Sequence, residues 1–163
     1  MHLFSFSLVT AAVLLVQVVD ADFHVYRVKW LETIKGSTAY MYQFYENPGP
    51  SCDQVITTAL WYERPHVAGT TLGVRCTGAG CDQVRTPRDI EQFEFHTCNN
   101  PLLPFNLYKP AYSMVGLDGK IYGNCVVATH QDYDCQWSNV KVQGRRKFYC
   151  KSMVTAAELN QFA

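Results

Sequence analysis

The chain has 163 residues, with 14 basic and 14 acidic side chains, so its formal net charge is zero. This balance excludes the strongly basic class of nucleic-acid-binding proteins, and nucleic acid is not an expected partner. Hydrophobic residues make up 48% of the chain and aromatic residues 13%, which excludes an intrinsically disordered segment.

Residues 1–21 are expected to be a cleaved secretory signal peptide. An apolar run extends from Leu3 to Val19, and Val19 and Ala21 supply the small residues that a signal peptidase requires. The run is short and interrupted and no second one follows, so no membrane anchor is expected. Residues 22–163 then form one secreted domain, which is long enough to bury a single core.

Alternation of apolar and polar residues predicts β-strands at 23–30, 39–46, 71–76 and 90–98. In the last of these, Phe93 and Phe95 point inward, while Glu94 and His96 share the opposite face. Three prolines within residues 99–110 indicate a loop or meander.

Two segments have the spacing of a helical capping box. Ser51 and Gln54 predict a short helix from Cys52 to Tyr62, although the β-branched residues after Gln54 favour a strand instead. Thr155 and Glu158 predict a second short helix near the end of the chain, with Leu159 and Phe162 on its apolar face.

The clearest local signal is Asp118-Gly119, which lies between alternating runs at 112–117 and 120–127. The dipeptide predicts a β-hairpin with a two-residue type I′ turn, with Ile121 and Cys125 on its apolar inner face. A further strand at 145–150 is expected to point Phe148 inward and Lys147 to solvent. The predicted fold is mainly β, with α+β as the alternative: one compact antiparallel domain with disulfides and one or two short peripheral helices.

All seven cysteines follow the leader, and an oxidising compartment would pair six of them and leave one over. Cys76 and Cys81 enclose a short glycine-containing loop that a local bridge would close, whereas the last three cysteines would make longer links. The spacing of the seven cysteines does not match a zinc site, and no motif predicts a cofactor. The disulfide candidates are Cys52, Cys76, Cys81, Cys98, Cys125, Cys135 and Cys150.

General acid–base cleavage of RNA would use His, Glu and Arg in a cleft, and two groupings offer these residues. They are Glu94 with His96, and Glu63 with Arg64 and His66. An ordinary solvated strand face is the alternative, so no catalytic residue is assigned. Trp61, Tyr62 and Trp137 would stack on sugars or anchor an interface if exposed, and would otherwise belong to the core.

The segment Val140–Gly144 resembles the Gln-x-Val-x-Gly hairpin loop of cystatins, with Val140 in place of the glutamine. The resemblance implies an apolar hairpin tip that enters the cleft of a papain-like cysteine protease. The basic residues that follow would meet an acidic partner, or would be a solvated strand face. The candidate binding residues are Val140, Val142, Gly144, Arg145, Arg146 and Lys147.

The leader, the cysteines and three further segments together resemble the small secreted effectors of plant-infecting ascomycete fungi. The segments are Phe23–Tyr26, Lys120–Cys125 and Gly144–Cys150. The resemblance implies a virulence protein that binds and disables a host extracellular protein, including a papain-like cysteine protease, and so suppresses plant immunity. Its location would be the host apoplast, or the host cell after translocation. A ribonuclease-like hydrolase and a carbohydrate-binding module are the alternative hypotheses.

Overall fold

A computed structural model describes residues 21–82, 87–97 and 103–161. The first strands and helix of this part of the chain are β1 (Ala21–Glu32), β2 (Ser37–Tyr45), α1 (Cys52–Thr57), β3 (Trp61–Tyr62), β4 (Gly73–Thr77) and β5 (Gln92–His96). They are followed by β6 (Phe105–Tyr108), β7 (Ser113–Gly116), β8 (Ile121–Val127), β9 (Tyr133–Trp137), β10 (Val140–Ser152) and α2 (Ala156–Asn160). Single 3-10 turns lie at Ala79–Cys81 and Pro87–Asp89.

The strands form one antiparallel sheet that almost closes into a barrel. Its order is β3-β2-β1-β10-β8-β7-β6-β5-β4, and β9 pairs with the first half of β10. An isolated bridge between Glu63 and Val74 brings the two ends of the sheet together, and the Arg64 amide donates a 2.8 Å hydrogen bond to the Val74 carbonyl. The prediction of a mainly β, antiparallel domain is therefore confirmed.

Aromatic side chains fill the interior of this barrel. Phe44 and Phe95 meet edge-to-face with ring centroids 5.0 Å apart, and Phe93 meets Phe148 at 5.7 Å. All four rings are buried, as the alternation of β5 predicts for Phe93 and Phe95. Burying one such side chain contributes roughly 1.5–3 kcal/mol, so these rings are a main source of stability.

A second core lies on the outer face, between α1 and strands β1, β2, β9 and β10. Its centre is the buried amide of Gln43. The Nε2 group donates to the carbonyl oxygens of Val55 and Thr58 at 2.9 Å, and Oε1 accepts from the hydroxyls of Tyr45 and Tyr133. Because these bonds satisfy the amide, it can lie in the core and hold α1 against the sheet.

Three disulfides cross-link the described residues: Cys52–Cys135, Cys76–Cys81 and Cys125–Cys150. The predicted local bridge between Cys76 and Cys81 is confirmed. Cys125 and Cys150 lie opposite each other on β8 and β10, whereas Cys52 ties α1 to β9. Cys98 lies outside the described residues.

Both predicted helices form, each with its reciprocal capping box. At α1 the Ser51 hydroxyl accepts from the Gln54 amide, while the Gln54 side chain accepts from the Ser51 amide. The helix ends at Thr57, short of the predicted end at Tyr62, and the chain resumes as a strand at Trp61. Phe162 lies outside the described residues. No helix among the described residues is long and apolar enough to cross a membrane.

The 112–127 hairpin is confirmed, but its predicted turn is wrong. Gly116 and Lys120 close a three-residue loop, in which Gly119 has φ of +78° and Asp118 does not adopt positive φ. The longer loop accompanies a register shift at Met114/Val115, so that Ile121 pairs with Val115 and is 62% exposed instead of facing the core.

The expectation that Lys147 faces solvent is also wrong. Val25 pairs with Phe148 and Tyr26 pairs with Arg146, so Lys147 is the extra residue of a β-bulge. The bulge interrupts the alternation of β10 and leaves Lys147 only 1% exposed. For residues 99–110, where a loop or meander was predicted, Phe105–Tyr108 forms β6 between β5 and β7, which agrees with a meander.

Candidate functional site: an arginine-lined cleft at the barrel closure

A concave site lies where β3 meets β4. It has a volume of about 540 Å³. We call it the arginine cleft; it is lined by Arg27, Tyr40, Glu63, Arg64, Pro65, Arg75, Cys76 and Thr77.

Arg27 forms the inner wall of the arginine cleft. It follows Val25 on the inward face of β1, at the level where the aromatic filling of the barrel ends. Its Nη2 lies 2.8 Å from Glu63 Oε2, its Nε donates to the same oxygen at 3.0 Å, and its guanidinium stacks 4.3 Å from the Tyr40 ring centroid. An ion pair and a ring face together hold this buried cation in place.

Arg75 forms the opposite wall. It pairs across β4 and β5 with Glu94, and its Nη1 donates a 2.9 Å hydrogen bond to Glu94 Oε2. The other Glu94 oxygen accepts from Gln92 Nε2 at 2.6 Å. Both oxygens of Glu94 are therefore hydrogen-bonded: the bond from Gln92 fixes the carboxylate, and the carboxylate orients Arg75.

Arg64 stands at the rim and is exposed. Its guanidinium lies 5.3 Å from the Tyr62 ring centroid, and it forms no ion pair with any carboxylate of the described residues. The cleft thus has three guanidinium groups, two of which are compensated by Glu63 and Glu94. The remaining positive charge suits a carboxylate or phosphate group, which arginine recognises in planar, bidentate geometry.

Tyr42 lies beneath the Arg27–Glu63 pair. It opposes Arg27 in the β1–β2 register and is fully buried. Burial, reinforced by the nearby Glu63 carboxylate, raises the pKa of its hydroxyl far above the ordinary value. That hydroxyl has no hydrogen-bond partner of good geometry among the described residues.

The five residues of the hydrolase hypothesis do not converge. Glu94 and His96 share a face of β5, as expected, but Glu94 is held by Arg75, and His96 Nε2 lies 3.1 Å from the Gly69 carbonyl oxygen. His66 is exposed beyond Pro65. Only Glu63 and Arg64 of the five line the arginine cleft.

The segment Val140–Gly144 is not a hairpin tip. It is the first part of β10 and pairs with β1 on one side and β9 on the other. Val142 is fully buried, and a side chain at Gly144 would overlap the Tyr133 ring. Because the segment lies within the sheet, its geometry offers no wedge for a protease cleft.

The basic residues that follow have internal partners. Arg145 pairs with Asp134 at 3.3 Å, and Arg146 donates to Gln131 Oε1 at 2.6 Å and to His24 Nδ1 at 2.7 Å. Burial, followed by the Arg146 charge, lowers the pKa of His24 to about 4, so this imidazole is neutral and accepts the bond.

The three aromatic residues considered for sugar stacking differ in exposure. Trp61 is buried in the barrel, where it meets Phe95 edge-to-face at 4.8 Å. Trp137 is half-buried against the outer core, and Tyr62 is 54% exposed beside Arg64. They form no common platform.

Arg27 and Arg75 were not predicted to belong to the site, and Glu63 was predicted only as part of the grouping with Arg64 and His66. Their signal was weak: Arg27 lies on the polar side of a predicted strand, and Glu63 precedes Arg64 in the chain. The described residues contain no group of three or more potential metal ligands from His, Cys, Asp and Glu. Comparison of the chain with protein-family models, curated proteins and solved structures gives no match.

Proposed function

We propose that this chain is a secreted protein that acts by binding an extracellular protein of a host, with the arginine cleft as its contact surface. The observation that carries the proposal is Arg64, an exposed cation without a carboxylate partner among the described residues, at the rim of a cleft whose other arginines are held in place. Exposed Tyr62 and half-exposed Tyr40 flank it. Tyrosine and arginine are enriched among residues that dominate interface energies.

The rigidity of the scaffold supports action by binding. The disulfides and the aromatic filling fix the strands that carry the cleft, so few groups need to be ordered when a partner docks. Disulfides of this number also suit an oxidising, extracellular environment, which agrees with the leader pattern at 1–21.

The resemblance to fungal effectors supports a plant host and a role in virulence. Inhibition of a papain-like cysteine protease is the most specific form of the proposal. In that form, the arginine cleft would meet an acidic residue of the protease, and Val140–Gly144 would remain inside the sheet.

Affinity capture from plant apoplastic fluid tests the proposal. The mature protein beginning at Asp22 is immobilised beside Arg64→Gln and the control Arg88→Gln, which changes an exposed arginine elsewhere. We expect the same protein to be retained by wild type and control, and about tenfold less by Arg64→Gln. Retention of no protein, or equal retention by all three, would contradict the proposal.

Parallel assays address the alternative hypotheses. Cleavage of RNA that is lost in Glu94→Gln or His96→Ala would replace the binding function by catalysis. Retention of the protein on chitin or glucan beads would favour carbohydrate binding.

A further inference from the structure

We propose that the edge of β2 from Ser37 to Ala39 accepts an extended segment of the partner protein as an added strand. An acidic residue of that segment enters the arginine cleft, and the adjacent apolar residue enters a groove on the opposite face. This inference rests on the proposed function and names the chemistry of the partner. Three observations carry the inference: the open backbone edge of β2, the arginine cleft and the groove on either side of that edge, and the positive charge of Arg64.

The edge arises because β3 is short. β1 pairs with all of β2, whereas β3 pairs only with Met41 and Tyr42. The last hydrogen bond along this edge joins the Glu63 amide to the Tyr40 carbonyl oxygen at 3.2 Å. The next amide, that of Arg64, donates to the Val74 carbonyl oxygen instead. Among the described residues, no strand covers positions 37–39 on this side.

The backbone of the edge is positioned to bind a strand. The Tyr40 carbonyl points away from β1, and backbone groups two residues apart in an antiparallel strand point the same way. The N–H and C=O of Thr38 therefore point toward the open edge, and this residue is exposed. Unpaired groups of this kind form a template for strand addition.

An apolar groove lies on the outer face of the same edge, with a volume of about 300 Å³. Trp30 opposes Ala39, and Tyr62 opposes Met41, so these four side chains share one face, and Leu60 adds to this apolar wall. Glu32, Ser37 and Thr38 line the rest of the groove. Tyr40 points to the other face, where it contacts Arg27. The two pockets therefore lie on opposite sides of one strand edge.

The two pockets beside the β2 edge determine which kind of segment can be added there. Successive side chains of a strand point to opposite faces, so two adjacent residues of an added strand would enter the two pockets. The uncompensated charge of Arg64 lies where β3 leaves β2, and it favours a carboxylate over a cation at that position. A second copy of this edge would bring Ser37-Thr-Ala-Tyr40, which contains no acidic residue. A foreign segment with adjacent apolar and acidic residues fits better.

The test is a titration of isotope-labelled mature protein, followed by nuclear magnetic resonance. The probes are acetylated hexapeptides that alternate valine with glutamate or valine with glutamine. We expect saturable shifts at the Thr38 and Tyr40 amides and at the Arg64 side-chain N–H, and about tenfold weaker binding of the glutamine peptide. Thr38→Pro removes the outward donor and should weaken binding by about tenfold, whereas Thr38→Val keeps the donor and the affinity.

Thr38→Pro is interpreted only if its melting temperature stays within about 5 °C of wild type; otherwise Arg64→Gln replaces it, with the same loss expected. Absence of shifts at Thr38 and Tyr40, equal binding of both peptides, or unchanged binding by the variant would overturn the inference. So would a dimer, seen by sedimentation, that Thr38→Pro dissociates. If Thr38→Pro still captures the host protein as wild type does, this inference fails and the proposed function stands. If wild type captures nothing, the proposed function fails.

Discussion

The buried ammonium group of Lys147 donates a 2.8 Å hydrogen bond to the carbonyl oxygen of Gly80. A second bond, to the carbonyl oxygen of Asp82, measures 2.6 Å. These bonds join the bulge of β10 to the loop closed by Cys76 and Cys81, behind the arginine cleft. Both of these acceptors are neutral carbonyl oxygens, and removing an ammonium group from water is costly.

This burial predicts a pH dependence of stability. Loss of solvation, and then the charge of Arg27, lower the pKa of Lys147 from 10.5 to about 8. The unfolded chain therefore binds more protons between these values, and the free energy of unfolding rises with pH in that window. From about pH 7 to pH 9.5 the contribution is about 2 kcal/mol. Urea unfolding of wild type and Lys147→Met should show this difference in slope; parallel profiles would refute it.

The buried hydroxyl of Tyr42 predicts an unusual response to mutation. Tyr42→Phe removes a buried hydroxyl that has no hydrogen-bond partner of good geometry among the described residues, so stability should stay equal or rise by about 1 kcal/mol. Tyr133→Phe is the matched control, because it removes a 2.8 Å bond to Gln43 and should cost about 1 kcal/mol or more. Denaturant midpoints measure both changes. Equal destabilisation by the two would show that the Tyr42 hydroxyl is satisfied.

Gly144 is predicted to act through packing. A methyl group at this position would overlap the Tyr133 ring, so Gly144→Ala should destabilise the fold by about 2–4 kcal/mol. Gly36→Ala is the control: it has open space but φ of +65°, and should cost about 1 kcal/mol. Thermal unfolding compares the two. A Gly144→Ala protein with the stability of wild type would contradict this packing role and would favour the binding role predicted for Gly144 from the sequence.

The disulfides are predicted to contribute unequally. Cys52–Cys135 spans a sequence separation of 83 residues, and Cys76–Cys81 spans 5. Loop-closure entropy then gives about 4–5 kcal/mol for the first bridge and about 2 kcal/mol for the second. Paired Cys→Ser variants measured by urea unfolding should reproduce this order. A larger loss from the short bridge would mean that local packing, and not chain entropy, determines the effect.

Local signals predicted local structure well. Capping boxes located both helices, alternation located the inward faces of Phe93 and Phe95, and the short spacing of Cys76 and Cys81 indicated their bridge. Each of these features is set by residues within a few positions of one another. The sequence carries that information directly.

The predictions that were wrong concern features that depend on how the strands pair. The positions of Lys147 and Ile121 depend on a bulge and a loop length, and one extra residue reverses the direction of a side chain. The arginine cleft depends on the closure between Glu63 and Val74, which brings Arg27 on β1 beside Arg75 on β4. Alternation within a single strand contains no information about which strands meet.

Hydrogen–deuterium exchange of the protein, alone and in complex with a protein retained from apoplastic fluid, tests most directly whether the arginine cleft is the contact surface. We expect slower exchange in segments 37–42, 62–65 and 73–77 in the complex, with little change at the exposed face of β8. Protection confined to β8 or to the outer core, with these three segments unchanged, would contradict it.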